Sequence, residues 1–189
     1  MGNKETAKEL AAYRGQIAGL RKKMREVQAA VQPEEVRDYA FATQQGTVRL
    51  SALFGAKPDL IVIHNMGASC AYCTLWADGF NGIYDHLASR AAFVVSSPDR
   101  PDVQKKFAAG RGWRFPMVSH ADTTFASDMG YGSAGGGWRP GVTAFRKSGN
   151  RILQVSDAAT SPGDDFCALW HFFDLLPEGS AGWRPQFTY

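Results

Sequence analysis

The chain has 189 residues, 44% of them hydrophobic and 21% charged, and its 21 basic and 18 acidic side chains leave a formal net charge of +3. These values describe one globular domain of ordinary composition and exclude global disorder. The charge is too evenly balanced to point to nucleic acid or to an acidic membrane surface as a partner.

Residues 1–38 carry 14 charged side chains and the other 151 carry 25. Within this first segment Leu10, Tyr13, Ile17, Leu20, Met24, Val27 and Val31 alternate spacings of three and four. That is one stripe of an α-helix, expected over about 5–31 and stopped by Pro33. Residues 1–36 are therefore read as a helical extension, 37–176 as the main domain and 177–189 as a C-terminal tail. A sustained 3-4 repeat is also that of a coiled-coil seam, which leaves a homodimer through this helix open. The flanking Arg14, Gln16, Arg21 and Lys23 are basic or neutral, and favour packing on the chain's own domain or antiparallel pairing.

From residue 37 the pattern changes. Tyr39–Ala42 and Thr47–Leu50 flank Gln44-Gln45-Gly46 as a β-hairpin, and Ser51–Phe54 reads as a helical turn. Leu60–His64 is an apolar, β-branched run with the signature of a buried central strand. Residues 70–88 have helical period, with Cys73, Trp76, Phe80, Ile83 and Leu87 on one stripe. Ala91–Ser96 is the next buried strand, Pro101–Ala109 a second helix with Pro101 in its first turn, and Phe115–Ser119 a weaker strand. Residues 126–137 read as a glycine-rich loop. Val142–Phe145 and Arg151–Val155 are strands around a Lys147–Asn150 turn, and a last helix is expected over about 163–175. The order describes an α/β domain with a central mixed β-sheet flanked by helices, preceded by the helix and the hairpin.

No apolar run approaches the roughly 20 residues that span a bilayer, so no membrane partner is expected. The charged start Met1–Thr6 lacks the apolar region of a secretory signal. Gly2 with Thr6 formally fits an acylation pattern, read here as chance. The three cysteines, Cys70, Cys73 and Cys167, are odd in number, and two share one C-x-x-C. That is the usage of a reducing compartment, and a cytoplasmic location is expected.

The informative feature is Ser69-Cys70-Ala71-Tyr72-Cys73, at the joint between a buried strand and a helix. Unpaired N–H groups and the partial positive charge at a helix start favour thiolate at Cys70. Cys73, one turn deeper, suits the resolving thiol of a disulfide exchange. A zinc site needs four ligands and only one such pair is present, with His64, His120 and Cys167 as distant candidates. Haem attachment would need His where Thr74 stands. Gly130-Tyr131-Gly132-Ser133-Ala134-Gly135 spells G-x-G-x-x-G, but Gly136, Gly137, Trp138 and Pro140 deny it the helix that a dinucleotide fingerprint opens. No cofactor is expected.

The chain resembles thioredoxin-fold proteins and, more narrowly, a bacterial thioredoxin-like family labelled domain of unknown function 899. The resemblance rests on Asp38–Phe41, Leu50–Gly55, Leu60–His64, Cys70–Phe80, Gly112–Pro116, Gly141–Gly149, Phe173–Leu175 and Tyr189. It implies a thioredoxin-like fold. It also implies that His64 exchanges a proton with Cys73, and that a cis-proline, Pro140 rather than Pro116, faces the cysteines. The expected activity is thiol–disulfide oxidoreduction by Cys70 and Cys73, with a protein or small-molecule disulfide as substrate and a separate electron donor. Three other readings remain: a redox-inactive binding or scaffold protein, a peroxide-reducing relative, and a metal site through Cys70, Cys73 and His64. Peroxide reduction ranks lower, because the Pro and Thr that usually precede a peroxidatic cysteine are absent from Met66–Ser69.

Overall fold

A computed structural model describes residues 3–133 and 135–189. Gly2 of the acylation pattern and Ala134 of the glycine-rich run lie outside the described residues. Contacts divide the chain at Pro33/Glu34 into two units. The first holds α1 (Asn3–Ala30), 28 residues long, as the stripe predicted. Its Ala, Lys, Arg, Glu and Leu content suits a helix, and the Lys22–Glu26 pair at 3.9 Å adds only a few tenths of a kcal/mol.

The second unit contains β1 (Glu34–Val36), β2 (Ala40–Thr43), β3 (Gly46–Arg49), α2 (Leu50–Leu53), β4 (Asp59–His64), α3 (Ala71–Gly82), α4 (Tyr84–Arg90) and β5 (Ala92–Ser97). It continues with α5 (Pro101–Arg111), β6 (Met117–Ser119), α6 (Phe125–Asp128), β7 (Gly141–Ser148), β8 (Arg151–Ala159) and α7 (Ala168–Phe173). The strands form one mixed sheet in the order β1-β8-β7-β4-β5-β6-β2-β3. Strand β4 runs parallel to β5 and antiparallel to β7.

Alternation along β4 explains the two cores. Leu60 and Val62 point to one face, where they meet Phe41, Phe54, Phe125 and Phe145. Ile61 and Ile63 point to the other, against Trp76, Phe80 and Trp170 of the helices α3 and α7. A strand buried on both faces must be apolar at every position, which is why 60–63 reads as an unbroken run.

Four expectations change. Glu34–Val36 do not belong to the helical extension: they pair antiparallel with Ile152–Gln154 and close one edge of the sheet. The helix predicted over 70–88 breaks at Gly82–Ile83, where Ile83 leaves helical geometry at φ −113° and ψ 11°. Glycine and asparagine weaken the helix there, and Asn81 instead accepts the Arg114 amide at 2.8 Å and donates to the Gly112 carbonyl at 3.1 Å. The last helix covers only Ala168–Phe173, because Asp164 organises a turn before it. Its carboxylate accepts the amides of Ser161 and Phe166, each at 2.9 Å, and the Trp76 indole N–H at 3.2 Å. The tail beyond 176 is packed on this second core, with Trp183 5.1 Å from the Phe173 ring and Phe187 6.2 Å from Phe107.

Gly141 opens β7 beneath the Tyr131 ring. A Cβ there would fall inside the ring's van der Waals surface and 2.9 Å from the Ala158 carbonyl oxygen. Gly141→Ala is therefore expected to lower stability by roughly 1–3 kcal/mol, the usual cost of overpacking. Urea denaturation checks this, and an unchanged midpoint would mean that Tyr131 does not pack there.

Candidate active site

The site is built where β4 hands over to α3. Cys70 is the N-cap of α3, in extended conformation at φ −95° and ψ 104°. A capping side chain ordinarily offers an oxygen to the first free amides of the helix. Here the Cys70 sulfur does so, accepting the Cys73 amide at 3.1 Å. Thr74 secures the same turn, donating its amide and its hydroxyl to the Cys70 carbonyl, each at 3.0 Å.

The loop 65–69 before it has little freedom. Three consecutive amides are committed: Met66 to Cys73 Sγ at 3.4 Å, Gly67 to Asn65 Oδ1 at 2.7 Å, and Ala68 to Asp99 Oδ2 at 2.8 Å. The Cys70 amide donates to the Gly67 carbonyl at 3.1 Å. Gly67 adopts φ +103°, a conformation glycine reaches without a Cβ clash.

The two sulfurs differ in environment. Cys73 is buried, 3% exposed, whereas Cys70 is half-buried and reachable. The Cys73 thiol and the amides of Cys73 and Tyr72 all donate toward Cys70, and against the opposing effect of burial they hold its thiol down to about 6. Cys73 is pushed up, because its proton is held on the neighbouring sulfur and burial disfavours its anion. The arrangement therefore supplies one accessible thiolate with a protonated thiol in hydrogen-bonding reach behind it. Cys167 is buried among Trp76 and Trp170, and burial raises it away from reactivity.

His64 makes no hydrogen bond to Cys73, although both line one small pocket. Strand parity places its imidazole with Leu60 and Val62, on the face opposite α3. There it stacks on Tyr131 at 4.0 Å and Phe125 at 5.3 Å. Its Nε2 is hydrogen-bonded to Thr143 Oγ1 at 2.8 Å and its Nδ1 has no partner. The direct proton exchange implied for this pair is therefore not assembled. Neither is a metal site through Cys70, Cys73 and His64, and among the described residues no three His, Cys, Asp or Glu side chains converge as ligands. Pro140 does lie beside the site, lining a small pocket with Cys73, Asn65 and Thr160. Its peptide bond, like that of Pro116 and every other described bond, is trans. The chain enters β7 from Arg139, whose amide donates to the Tyr131 carbonyl at 2.8 Å.

Asn65, Ser97, Asp99 and Gln104, which shape the loop around Cys70, were not singled out by sequence. The available signals were the Asn-x-Gly spacing of 65–67 and the Ser-x-Asp spacing of 97–99, both turn chemistry. The proximity of His64 and His120 was not legible in the sequence, because β4 and the end of β6 are brought together across the intervening β5. His120 Nδ1 is hydrogen-bonded to Ser96 Oγ at 2.8 Å, and Ser96 is the β5 partner of His64.

A family profile described as "Bacterial protein of unknown function (DUF899)" matches residues 4–184. The chain belongs to this family. No curated protein matches it in sequence at a significant level. Among solved structures, it is similar to the peroxidoxin BcpB of Mycobacterium tuberculosis, with 26% identity over 72% of this chain and 88% of that one and a TM-score of 0.57. It is also similar to reduced Prx3 of Vibrio vulnificus (12% identity, 71% and 89% covered, TM-score 0.58) and to a cysteine-to-serine mutant of PrxQ from Xylella fastidiosa (14%, 68% and 85%, 0.57). This DUF899 protein thus has the thioredoxin-like fold in the form that peroxiredoxins share.

Burial pushes His64 down to about 3, with repulsion from His120 adding to it, and pushes His120 down to about 4. Both lie below the ordinary 6.5, so from pH 6.5 down to about 4 the unfolded chain gains protons that the folded chain refuses. Stability is full above pH 6.5 and falls through that window, by up to about 1.4 kcal/mol per pH unit for each imidazole. The thermal midpoint is expected to drop between pH 6.5 and 4.5, and His64→Leu to flatten the drop. A level midpoint in the native protein would contradict the buried neutral pair.

Proposed function

We propose that this DUF899 protein is a thiol–disulfide oxidoreductase. The observation that carries this reading is the accessible Cys70 sulfur, capped by helix amides, with the protonated Cys73 thiol behind it. The Cys70 thiolate attacks one sulfur of a substrate disulfide, forming a mixed disulfide and expelling the other sulfur as thiolate. Cys73 then passes its proton to solvent or to the departing sulfur, and its thiolate attacks Cys70 Sγ. The second substrate sulfur leaves, and Cys70 and Cys73 are joined. Two electrons have moved to the substrate, and a separate thiol donor must return them before the next cycle. His64 takes no part in this proton transfer, because its ring is turned to the other face of the sheet. The roles of Cys70, Cys73 and Pro140 are parts of this proposal, with Pro140 shaping the wall beside Cys73. A cytoplasmic location belongs to it too, since the cycle needs a reducing donor.

Similarity to peroxiredoxin structures favours a second reading, peroxide reduction by the same pair. The Cys70 thiolate would take the outer oxygen of a hydroperoxide, releasing an alcohol or water and leaving Cys70 as sulfenic acid. Cys73 would condense with it, releasing water and giving the same disulfide. One set of experiments separates the readings. Redox titration with mass spectrometry is expected to show a reversible Cys70–Cys73 disulfide. Cys73→Ser is expected to trap a mixed disulfide at Cys70, and Cys70→Ser to lose at least about 100-fold of dithiol-dependent disulfide reduction, its nucleophile being gone. Oxidation of the reduced protein by hydrogen peroxide much faster than by a disulfide would favour the second reading. Unchanging alkylation of both cysteines in every redox state would end both readings.

We also propose that α1 pairs with α1 of a second copy. The support is its unbroken 3-4 stripe from Leu10 to Val31, whose seven residues are 46–68% exposed in one copy, a seam that a helix of identical period fits. Light scattering of the full chain is expected to give a dimer, and Ile17→Glu with Leu20→Glu a monomer. An unaltered mass would remove this role.

A further inference from the structure

A carboxylate from another turn holds the Cys70 loop close to the sulfur. Asp99, in the turn between β5 and α5, accepts the Ala68 amide at 2.8 Å, two residues before the nucleophile. The same carboxylate sits 3.0 Å from where a Cβ on Gly67 would be, which adds crowding to a position whose φ of +103° already favours glycine. Asp99 is itself fixed from the interior. Ser97 Oγ donates to Asp99 Oδ2 at 3.2 Å, and Gln104 Nε2 donates to Ser97 Oγ and to the Val118 carbonyl, each at 2.9 Å. Ser97 and Gln104 are buried, so this chain of hydrogen bonds runs through the protein interior from β6 to the active loop. A satisfied buried network of this kind admits one geometry.

We propose that Asp99 is a positioning residue: by binding the Ala68 amide it sets the turn that presents Cys70 Sγ to the first amides of α3. This inference rests on the redox reading of Cys70 and assigns the site a component on a different βα loop. The preceding amides are each engaged elsewhere, Asn65 by the Ser96 carbonyl, Met66 by Cys73 and Gly67 by the Asn65 side chain, so the Asp99 bond is what ties the part of the loop next to Cys70 to the β5–α5 turn.

Geometry and charge give opposite signs, which makes the idea testable. A bare carboxylate near a thiolate disfavours the anion, so a purely electrostatic Asp99 would lower the Cys70 titration midpoint when neutralised. A positioning Asp99 does the reverse when truncated, because the capping amides lose their alignment on sulfur. The measurement is the rate of Cys70 alkylation by iodoacetamide against pH, on the reduced full chain, with the thermal midpoint taken alongside. Asp99→Ala is expected to raise the midpoint by about one pH unit and to slow alkylation at pH 6 by about fivefold, since the rate follows the thiolate fraction. Asp99→Asn keeps an oxygen for the Ala68 amide and is expected to stay within about twofold of the native rate. A midpoint that falls in both variants, or one unmoved in Asp99→Ala while only thermal stability drops, overturns the proposal. If Asp99→Ala does not fold, Ser97→Ala removes the donor that orients the carboxylate. A raised midpoint there supports the proposal and an unmoved one overturns it. A native protein with no low-pH thiolate and no reversible Cys70–Cys73 disulfide would instead remove the redox reading itself, before any variant is compared.

Discussion

One hydrogen bond links the fold of this protein to its chemistry: the Cys73 amide donating to the Cys70 sulfur. The start of α3 needs an acceptor for its free amides, and a thiolate needs donors. Using one atom for both requirements means that the proposed nucleophile is also the helix cap. The Cys73 sulfur below it is bound to the same turn through the Met66 amide. Everything else around the joint serves this contact: β4 delivers the chain to it, the loop 65–69 turns through it, and Trp76 and Phe80 anchor the helix on the sheet behind it.

Sheet parity separates the chemistry from a second polar cluster. On the α3 face lie the two cysteines. On the opposite face His64 and His120 are sealed by Tyr131 and Trp138, both carried by the glycine-rich segment before β7. That segment closes on itself through a Gly132–Trp138 bridge. Gly132 serves close packing there, since a Cβ on it would meet Ser127 Oγ at 2.7 Å and the Trp138 ring at 3.1 Å. The G-x-G-x-x-G spelling is thus a covering for two neutral imidazoles, without the helix that phosphate binding requires.

The elements most legible in the sequence were those whose burial leaves a pattern. Strands β4 and β5 are apolar on both faces, α1 has a complete stripe, and Cys70-x-x-Cys73 sits at an obvious strand-to-helix joint. Less legible were features made by single side chains competing with the backbone. Asp164 replaces the first turns of the last helix with a local turn, and Asn81 with Gly82 divides α3 from α4. The three residues of β1 carry too little pattern to announce a strand. The face of His64 was readable by counting from Leu60 and Val62, but which face α3 would cover was not, because a strand buried on both sides gives no preference. The isomer at Pro140 has no sequence signal of its own.

The outermost strands are short: three residues in β1 and four in β3. Each presents charge at its rim, Glu34 and Glu35 on one side and Arg49 on the other. Such borders offer a stranger's backbone few free donors and acceptors, and unfavourable company beside them. An eight-stranded sheet is thereby protected from ribbon-like growth into fibrils.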